Sequence, residues 1–300
     1  RRRSPESRWQ TGSRTWPPRT RDVPYAAPMR LLLLGVRGST AAPGAEFVRY
    51  GGHTSCVAVY PDGSDVPTLV LDAGTGLRDL TPRLEGRPYR GAILVTHLHW
   101  DHVQGLPFFV AGDRDDAQVN LYLPAQNSRS GRDLLAAAMA PPNFPITPEG
   151  LQGAWTFTAL DAGYHTIGGF RVRATEVRHK GGRTFGYRIS DETSSIAYVP
   201  DHIVSHGVSD EVRDLIHDVD VLLHDAQFVE KERALADAYA HSTVDDAIGL
   251  ARECGVRKLV LFHHGPARTD EALDRIAEEL DPSGSVVVAA QGAVIDAGRS

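Results

Sequence analysis

The feature that most constrains this chain is a group of imidazole and carboxylate side chains directly after an apolar run. Residues 92–95 read Ala-Ile-Leu-Val, and the segment that follows contains His97, His99, Asp101 and His102. His97 and His99 are two residues apart, so they can point the same way from extended backbone. Local backbone hydrogen bonds cannot satisfy four such groups, whereas divalent metal ions favour imidazole and carboxylate ligands. The spacing therefore predicts a metal site where a strand ends and a helix begins.

From Met29 onward, short apolar runs of β type alternate with polar turns. The predicted strands span residues 30–35, 54–60, 68–72, 91–95, 119–123, 155–159, 170–177, 185–190, 195–199, 220–224, 258–262 and 286–290. The predicted helices span residues 103–110, 130–139, 209–217, 243–254 and 268–280. Strands dominate the first half and helices separate the later strands, which favours two face-to-face sheets with helices outside. We expect an α+β, four-layer αββα sandwich forming a single domain over residues 29–300.

Residues 1–28 differ from the rest of the chain in composition. They carry seven arginines against Glu6 and Asp22, are rich in Pro, Ser and Thr, and show no hydrophobic period. We expect this leader to be disordered, and it lacks the apolar centre of a secretory signal. The strand-like run that begins at Met29 suggests that the natural protein starts there. An Arg-rich transit segment or nucleic-acid-binding arm is the alternative.

The charge and the cysteine content limit which partners this protein is expected to bind and in which compartment it is expected to reside. The formal net charge is −6, so the chain outside the basic leader is more acidic than this total. An acidic body does not attract a long polyanion, which argues against a large nucleic-acid partner. No apolar run reaches the roughly 18 residues of a membrane span, so no membrane association is expected. Cys56 and Cys254 make no disulfide framework and favour a reducing, cytoplasmic setting.

The pattern of residues 97–102, His-x-His-x-Asp-His, resembles the signature of the metallo-β-lactamase-fold hydrolases, which share the αββα sandwich. In that family, isolated residues at the ends of later strands complete the metal set. The resemblance extends from Met29 to the C terminus. It implies three further ligands after later strands, namely His179, Asp201 and His263, with His264 as the alternative to His263.

The same resemblance divides the ligands between two divalent metal ions. The first ion is assigned His97, His99 and His179, the second Asp101, His102 and His263, and Asp201 bridges the two. Two ions about 3.5–4 Å apart can share a hydroxide that attacks the substrate. Zinc is the expected metal, with manganese or iron as alternatives, because His/Asp sites accept all three. Asp72 stands where the family has a carboxylate that orients the metal histidines, although a turn aspartate is equally compatible with the sequence.

Two further motifs narrow the branch of the family. Residues 224–227, His-Asp-Ala-Gln, and residues 240–243, Ala-His-Ser-Thr, resemble two motifs of ribonuclease Z and its phosphodiesterase relatives. There the histidine contacts the scissile phosphate and the acidic residue orients it. The resemblance thus implies that His241 is a general acid and Asp225 its partner. Asp101 is expected to be both a metal ligand and a catalytic residue.

These motifs imply a dinuclear, metal-dependent phosphodiesterase that hydrolyses a small cyclic phosphodiester, such as a 3′,5′-cyclic nucleotide, with the shared hydroxide as nucleophile. A ribonuclease Z-like transfer-RNA 3′-endonuclease is one alternative, but the RNA-gripping arm of those enzymes lies between the third and fourth metal motifs. Here only residues 180–200 separate His179 from Asp201. An ester, lactone or sulfate-ester hydrolase on the same metal site is the other alternative. The branch often forms homodimers, so a homodimer is one expected assembly.

Overall fold

The structure is a computed structural model that describes residues 29–280 and 282–298. The predicted disordered leader, residues 1–28, lies outside the described residues. Within them, fourteen strands form two sheets of seven strands each.

The first sheet is built mainly from the N-terminal half of the chain. Its strands are β1 Arg30–Gly35, β2 Cys56–Tyr60, β3 Leu69–Leu71, β4 Arg90–Leu94, β5 Gln118–Pro124, β6 Ala154–Leu160 and β14 Val294–Asp296. They lie in the order β14-β1-β2-β3-β4-β5-β6. β1 pairs antiparallel with β14 and β2, whereas β3 to β6 are parallel neighbours. Parallel neighbours end on the same edge of a sheet, so the loops that follow β3 and β4 meet there.

The second sheet is built from the C-terminal half. Its strands are β7 Gly163–Ile167, β8 Phe170–Val177, β9 Thr184–Ser190, β10 Ser195–Val199, β11 Val221–Asp225, β12 Lys258–Phe262 and β13 Val286–Val288. They lie in the order β13-β12-β11-β10-β9-β8-β7. β10 to β13 are parallel neighbours, whereas β7, β8 and β9 pair antiparallel. The ends of β10, β11 and β12 therefore lie side by side.

The α-helices lie in the connections between strands of both sheets. They are α1 Leu80–Arg83, α2 Trp100–Val103, α3 Gly131–Ala136, α4 Asp210–Ile216, α5 Arg233–Tyr239, α6 Val244–Glu253 and α7 Asp270–Glu279. Thr243 begins α6 with a capping box, because its hydroxyl accepts from the Asp246 amide at 3.2 Å and its own amide donates to the Asp246 carboxylate. This cap fixes the start of α6 directly after His241.

Three apolar clusters establish the layers. The central cluster packs the inner faces of the two sheets together and includes Leu31 and Leu33 of β1 with Phe262 of β12. Leu32, on the opposite face of β1, belongs to an outer cluster with Leu80 of α1, as the two-residue period of a strand requires. A third cluster packs α4 and α6 against the outer face of the second sheet. The predicted four-layer αββα arrangement is confirmed.

Two details differ from the sequence prediction. The helix predicted over 103–110 is instead α2, which ends at Val103, followed by a separate 3₁₀ turn at Leu106–Phe108. Gly105 and Pro107 account for the break, because glycine disfavours and proline interrupts a helix interior. β7, β14, α1 and α5 were not predicted. Among the described residues, no helix has the length and apolar character needed to span a bilayer.

Candidate metal centre

The residues predicted to bind metal converge where the two sheets meet. His97 follows β4, His179 follows β8, Asp201 follows β10 and His263 follows β12. Because these strands end at the same side of the sandwich, residues far apart in sequence lie together there. The described residues place all seven predicted ligands in this cluster, His97, His99, Asp101, His102, His179, Asp201 and His263.

Several groups of three ligand atoms lie close enough together to hold a metal ion. His97, His99 and His179 form one group in which the ligand atoms all lie within 4.8 Å of one another, and Asp101, His102 and His263 form another. Asp201 links the two groups, since its Oδ2 lies 3.0 Å from His102 Nε2 and its Oδ1 lies 3.7 Å from His179 Nε2. Asp201 therefore lies between the two groups.

The hydrogen bonds of the histidines leave their inward nitrogens free to bind metal. His179 Nδ1 donates to the Ala240 carbonyl at 2.9 Å, so its proton is on Nδ1 and Nε2 carries a lone pair. Thr96 Oγ1 donates to Asp72 and can therefore only accept from His97 Nδ1, at 3.1 Å. Both imidazoles thus present Nε2 as an acceptor, the form that a metal ion binds.

Unsatisfied buried atoms supply an independent test of whether the residues fit a metal. His97 Nε2, His102 Nε2 and Asp201 Oδ2 are buried without a hydrogen-bond partner. Leaving such an atom unsatisfied costs about 1–3 kcal/mol, and more when it is charged. The group formed by His97, His102 and Asp201 has its ligand atoms within 4.8 Å of one another, and bound divalent cations would satisfy these buried atoms. The residues therefore fit bound metal ions.

The electrostatics of the cluster point the same way. Burial lowers the pKa of His97 well below its usual value, and the nearby His102 adds to this effect, so His97 is neutral, as a ligand must be. Burial alone would also lower the pKa of His102, but Asp101, Asp72 and Asp201 outweigh it and raise that pKa. The three carboxylates thus favour a positive charge at this point. A bound metal ion can supply that charge in place of a proton on His102.

Asp101 is held by groups on three segments of the chain. Its Oδ2 accepts from the Ser39 amide at 2.7 Å and lies 3.2 Å from both His102 Nε2 and His263 Nε2. Burial alone would raise the pKa of Asp101, but the charge of the adjacent His102 and the hydrogen bond from His263 hold it well below the usual range. Asp101 is therefore a carboxylate oriented toward the cluster.

The structure distinguishes His263 from its neighbour. His264 Nε2 donates to the Ala289 carbonyl at 2.8 Å, and burial lowers the pKa of His264 to about 3. His263 instead points to the cluster, with Nε2 3.3 Å from Asp201 Oδ2. Its ring packs against Gly38, where an added Cβ would lie 2.3 Å from His263 Nδ1. Position 38 therefore requires glycine if the His263 ring is to keep this place.

His241 and Asp225, the residues predicted for proton transfer, form a direct pair beside the metal cluster. His241 Nδ1 donates to Asp225 Oδ2 at 2.8 Å, and the His241 ring stacks on that of His263 with centroids 5.2 Å apart. Asp225 is fully buried and also accepts from the amides of His202 and Gln227, each at 3.1 Å. Burial alone would lower the pKa of His241, but Asp225 raises it to about 9.

The cluster opens into a cleft of about 900 Å³. Two basic residues, Lys180 and Arg268, line this cleft. Lys180 Nζ donates to the Ala238 carbonyl at 2.8 Å, and Arg268 pairs with Glu232 at 2.5 Å. Arg183 does not line this cleft and pairs with Glu176 at 3.0 Å.

A buried histidine pair behind the cluster was not predicted from the sequence. His202 Nδ1 and His224 Nε2 lie 3.1 Å apart, and His224 Nδ1 donates to the Asp225 carbonyl at 2.9 Å. His224 Nε2 is therefore the acceptor and His202 the donor. The His202 amide also donates to the Asp225 carboxylate, so the pair holds Asp225 from behind. Histidines adjoining two candidate acidic residues were the signal available in the sequence.

Comparisons with known proteins identify sequences and structures that this chain resembles. The family model of the beta-lactamase superfamily domain matches residues 68–264. The chain is 26% identical over 316 aligned residues to a ribonuclease Z of Haloarcula marismortui, covering 88% of this chain and 95% of the relative. Among solved structures, the metallo-beta-lactamase fold protein YhfI from Bacillus subtilis matches with a TM-score of 0.66 at 19% identity, over 90% of this chain and all of YhfI. A diphosphatase from the PhnP family matches with a TM-score of 0.64 at 20% identity, over 89% of this chain and 97% of that structure.

The family model covers well over half of the chain, so this protein belongs to the beta-lactamase superfamily. Its αββα sandwich is the metallo-β-lactamase fold, as the residue 97–102 pattern implied. The protein is a metal-dependent hydrolase of that superfamily.

Proposed function

We propose that this hydrolase is a dinuclear phosphodiesterase that cleaves a small cyclic phosphodiester, such as a 3′,5′-cyclic nucleotide. The observation that carries the proposal is the His241–Asp225 pair, whose Nδ1–Oδ2 distance is 2.8 Å and which lies directly beside the metal cluster. Cleavage of a phosphodiester expels an alkoxide, which needs a proton as it leaves. A histidine fixed at the cluster by a buried carboxylate meets that need.

Each residue of the pair has a defined task in this proposal. Asp225 accepts from His241 Nδ1, which leaves Nε2 to face the cleft and give its proton to the leaving oxygen. Amides of His202 and Gln227 hold the Asp225 carboxylate in place, so the imidazole orientation is set before substrate binds. Asp225 is thus a positioning residue and His241 the group that contacts the reacting atoms.

The ligand set proposed for the two ions is His97, His99 and His179 for one, Asp101, His102 and His263 for the other, and Asp201 for both. When bound, two divalent ions supply Lewis-acid activation of the phosphoryl group and of water. The chain contributes the fixed positions of these ligands and the orientation of Asp101 through the Ser39 amide. Zinc is the proposed metal, since imidazole and carboxylate ligands suit it.

An RNA phosphodiester is the second candidate, because the relative in Haloarcula marismortui is named ribonuclease Z. The structure offers little support for transfer-RNA binding between the third and fourth metal motifs. Between His179 and Asp201 the described residues form only β9, β10 and the short turns that join them. The acidic overall charge also disfavours a long polyanion. A small phosphodiester therefore fits this chain better.

The test is an assay of the zinc-reconstituted protein on three substrates in parallel: bis(4-nitrophenyl) phosphate, 3′,5′-cyclic AMP and a precursor transfer RNA. A variant with Asp101→Ala and His102→Ala serves as the inactive control. The proposal expects hydrolysis of the first two substrates, lost in the control. Cleavage of the RNA alone would favour the second candidate. No hydrolysis of any of the three by protein with two bound metal ions would contradict the phosphodiester reaction and favour an ester, lactone or sulfate ester.

A further inference from the structure

The cleft is much larger than the reacting phosphate group requires. Its volume of about 900 Å³ lies at the upper end of the range, roughly 300–1,000 Å³, found for clefts that bind whole organic ligands. The metal cluster occupies part of its lining, and much of the rest is apolar or aromatic. The metal cluster alone therefore does not account for the size and the apolar lining of the cleft.

Trp100 is the most prominent of these apolar residues. It stands between His99 and Asp101, at the start of α2, and its side chain is 76% exposed although it lines the cleft. An indole this exposed contributes little to the core. The residues on both sides of Trp100 are candidate metal ligands. The indole ring therefore starts from backbone that adjoins the metal cluster.

α5 supplies a second apolar surface of the cleft. Leu235 and Tyr239 are 50% and 58% exposed, both line the cleft, and their four-residue spacing puts them on one face of the helix. Lys180, one residue after His179, donates to the Ala238 carbonyl at 2.8 Å and lies 6.0 Å from the centre of the Tyr239 ring. These contacts join α5 to the loop that carries a candidate ligand, so Tyr239 is held close to the metal cluster.

We propose that Trp100, Leu235 and Tyr239 form a subsite that stacks the planar base of a nucleoside phosphodiester. The inference rests on the proposed phosphodiesterase function and adds the class of group attached to the phosphorus. A base has an apolar π face that stacks on aromatic side chains, which an alkyl or bare sugar group lacks. The three residues are specificity residues, because they contact the organic part of the substrate and not the phosphate.

Two chromogenic substrates with the same leaving group allow the effect of this subsite on kcat/KM to be measured separately from the chemistry at phosphorus. Thymidine 5′-(4-nitrophenyl phosphate) and 4-nitrophenyl methyl phosphate both release 4-nitrophenolate and differ only in having a nucleoside or a methyl group. With zinc-reconstituted protein, kcat/KM is expected to favour the nucleoside ester by about tenfold or more, the effect of one stacked base. Trp100→Ala and Tyr239→Ala should each lower this ratio several-fold, mainly through KM, and Trp100→Phe should retain most of it.

The matched control is Tyr164→Ala, which removes a half-exposed tyrosine on β7, outside the lining of the cleft. Its nucleoside-to-methyl ratio should equal that of the wild type. Equal kcat/KM values for the two esters in the wild type, or a ratio that Trp100→Ala leaves unchanged, would overturn the subsite.

A binding measurement keeps the subsite separate from the proposed reaction. Thymidine 5′-monophosphate should quench the tryptophan fluorescence of the wild-type protein, ribose 5-phosphate should not, and Trp100→Phe should abolish the quenching. Quenching by the nucleotide in a protein that hydrolyses neither ester would support the subsite and contradict the phosphodiesterase function. Absence of nucleotide quenching in a protein that hydrolyses both esters would contradict the subsite alone, and absence of both would overturn both proposals.

Discussion

His102 Nδ1 donates to Asp72 Oδ2 across 2.7 Å, and both side chains are fully buried. The same carboxylate accepts from the Thr96 amide at 2.7 Å and from the Tyr198 hydroxyl at 2.9 Å. Asp72 thereby fixes the ring of His102 so that Nε2 faces Asp101 and the other candidate ligands. A carboxylate behind a metal-binding histidine sets both its tautomer and its orientation.

We expect Asp72→Asn to lower metal affinity about 10–100-fold, the usual effect of losing such a partner. The substitution removes the negative charge and replaces one acceptor oxygen with a donor. Competition with a chromogenic chelator measures the change. Tyr198→Phe is the control, because it removes another hydrogen bond to the same carboxylate and leaves the carboxylate in place. Equal affinity in Asp72→Asn and the wild type would show that His102 needs no partner.

Gly38→Ala should displace His263. The added Cβ would lie 2.3 Å from the Cε1 and Nδ1 atoms of the His263 ring, so the ring or the backbone must move. We expect fewer than two equivalents of zinc per chain by elemental analysis. Gly249→Ala in α6 is the control, because its Cβ meets nothing within 4 Å and a helix interior favours alanine over glycine by about 0.5–1 kcal/mol. If the Gly38→Ala protein retained two equivalents of zinc per chain, the steric argument would be wrong.

Arg37→Met should destabilise the fold strongly. The Arg37 side chain is fully buried, donates to the carbonyls of Gly51 at 2.7 Å and Arg268 at 2.5 Å, and lies 4.0 Å from Asp270. Its loss leaves these groups buried without their cation, which costs about 3 kcal/mol or more. Urea unfolding measures the difference.

The matched control for this measurement is Arg87→Met, which breaks an ion pair with Asp65 in which both partners face solvent. Its unfolding midpoint should stay close to that of the wild type, because exposed ion pairs contribute little. If Arg37→Met and Arg87→Met had similar urea unfolding midpoints, the buried Arg37 would stabilise the fold no more than the exposed Arg87 does.

Cys56 should resist alkylation in the folded protein. Burial raises the pKa of its thiol well above the usual value, and the nearby Asp72 raises it further. Only the thiolate reacts, so a raised pKa leaves little reactive form at a pH of about 8.5, where an ordinary cysteine is half ionised. Mass spectrometry after iodoacetamide treatment should show Cys56 unmodified in the native protein and alkylated after denaturation. Rapid native labelling would indicate that this part of the first sheet opens.

The candidate metal cluster could be proposed from the sequence because its first part is local in sequence. Residues 97–102 carry four ligands on one turn, and their spacing alone limits what they can do. His179, Asp201 and His263 have no such local signature. They were assigned by resemblance to the family and by their places at strand ends, and the structure brings them to the cluster.

Other parts of the site depend on contacts that a single sequence does not encode. The close approach of Gly38 to the His263 ring and the stacking of His241 on His263 join segments more than 20 residues apart. The helix α5 was not predicted from the sequence for a related reason. Leu235 and Tyr239 face the cleft and not the core, so α5 has only Ala236 as a buried residue and shows no clear hydrophobic period.

The edges of the fold were also hard to predict. β7 alternates between half-buried and exposed residues and lies at the edge of its sheet, and β14 is only three residues long. Both owe their strand conformation to pairing with a longer neighbour, β8 or β1. Buried central strands such as β10 were predicted accurately because their sequences are continuously apolar.

The most direct test of the central claim is the effect of His241→Ala on two leaving groups. 4-Nitrophenolate leaves without a proton, whereas the ribose oxygen of 3′,5′-cyclic AMP needs one, so only the second reaction depends on a general acid. We expect His241→Ala to lower kcat for cyclic AMP about 100-fold or more and kcat for bis(4-nitrophenyl) phosphate far less, with two zinc ions retained. Equal losses on both substrates, or loss of zinc together with activity, would contradict the role assigned to His241.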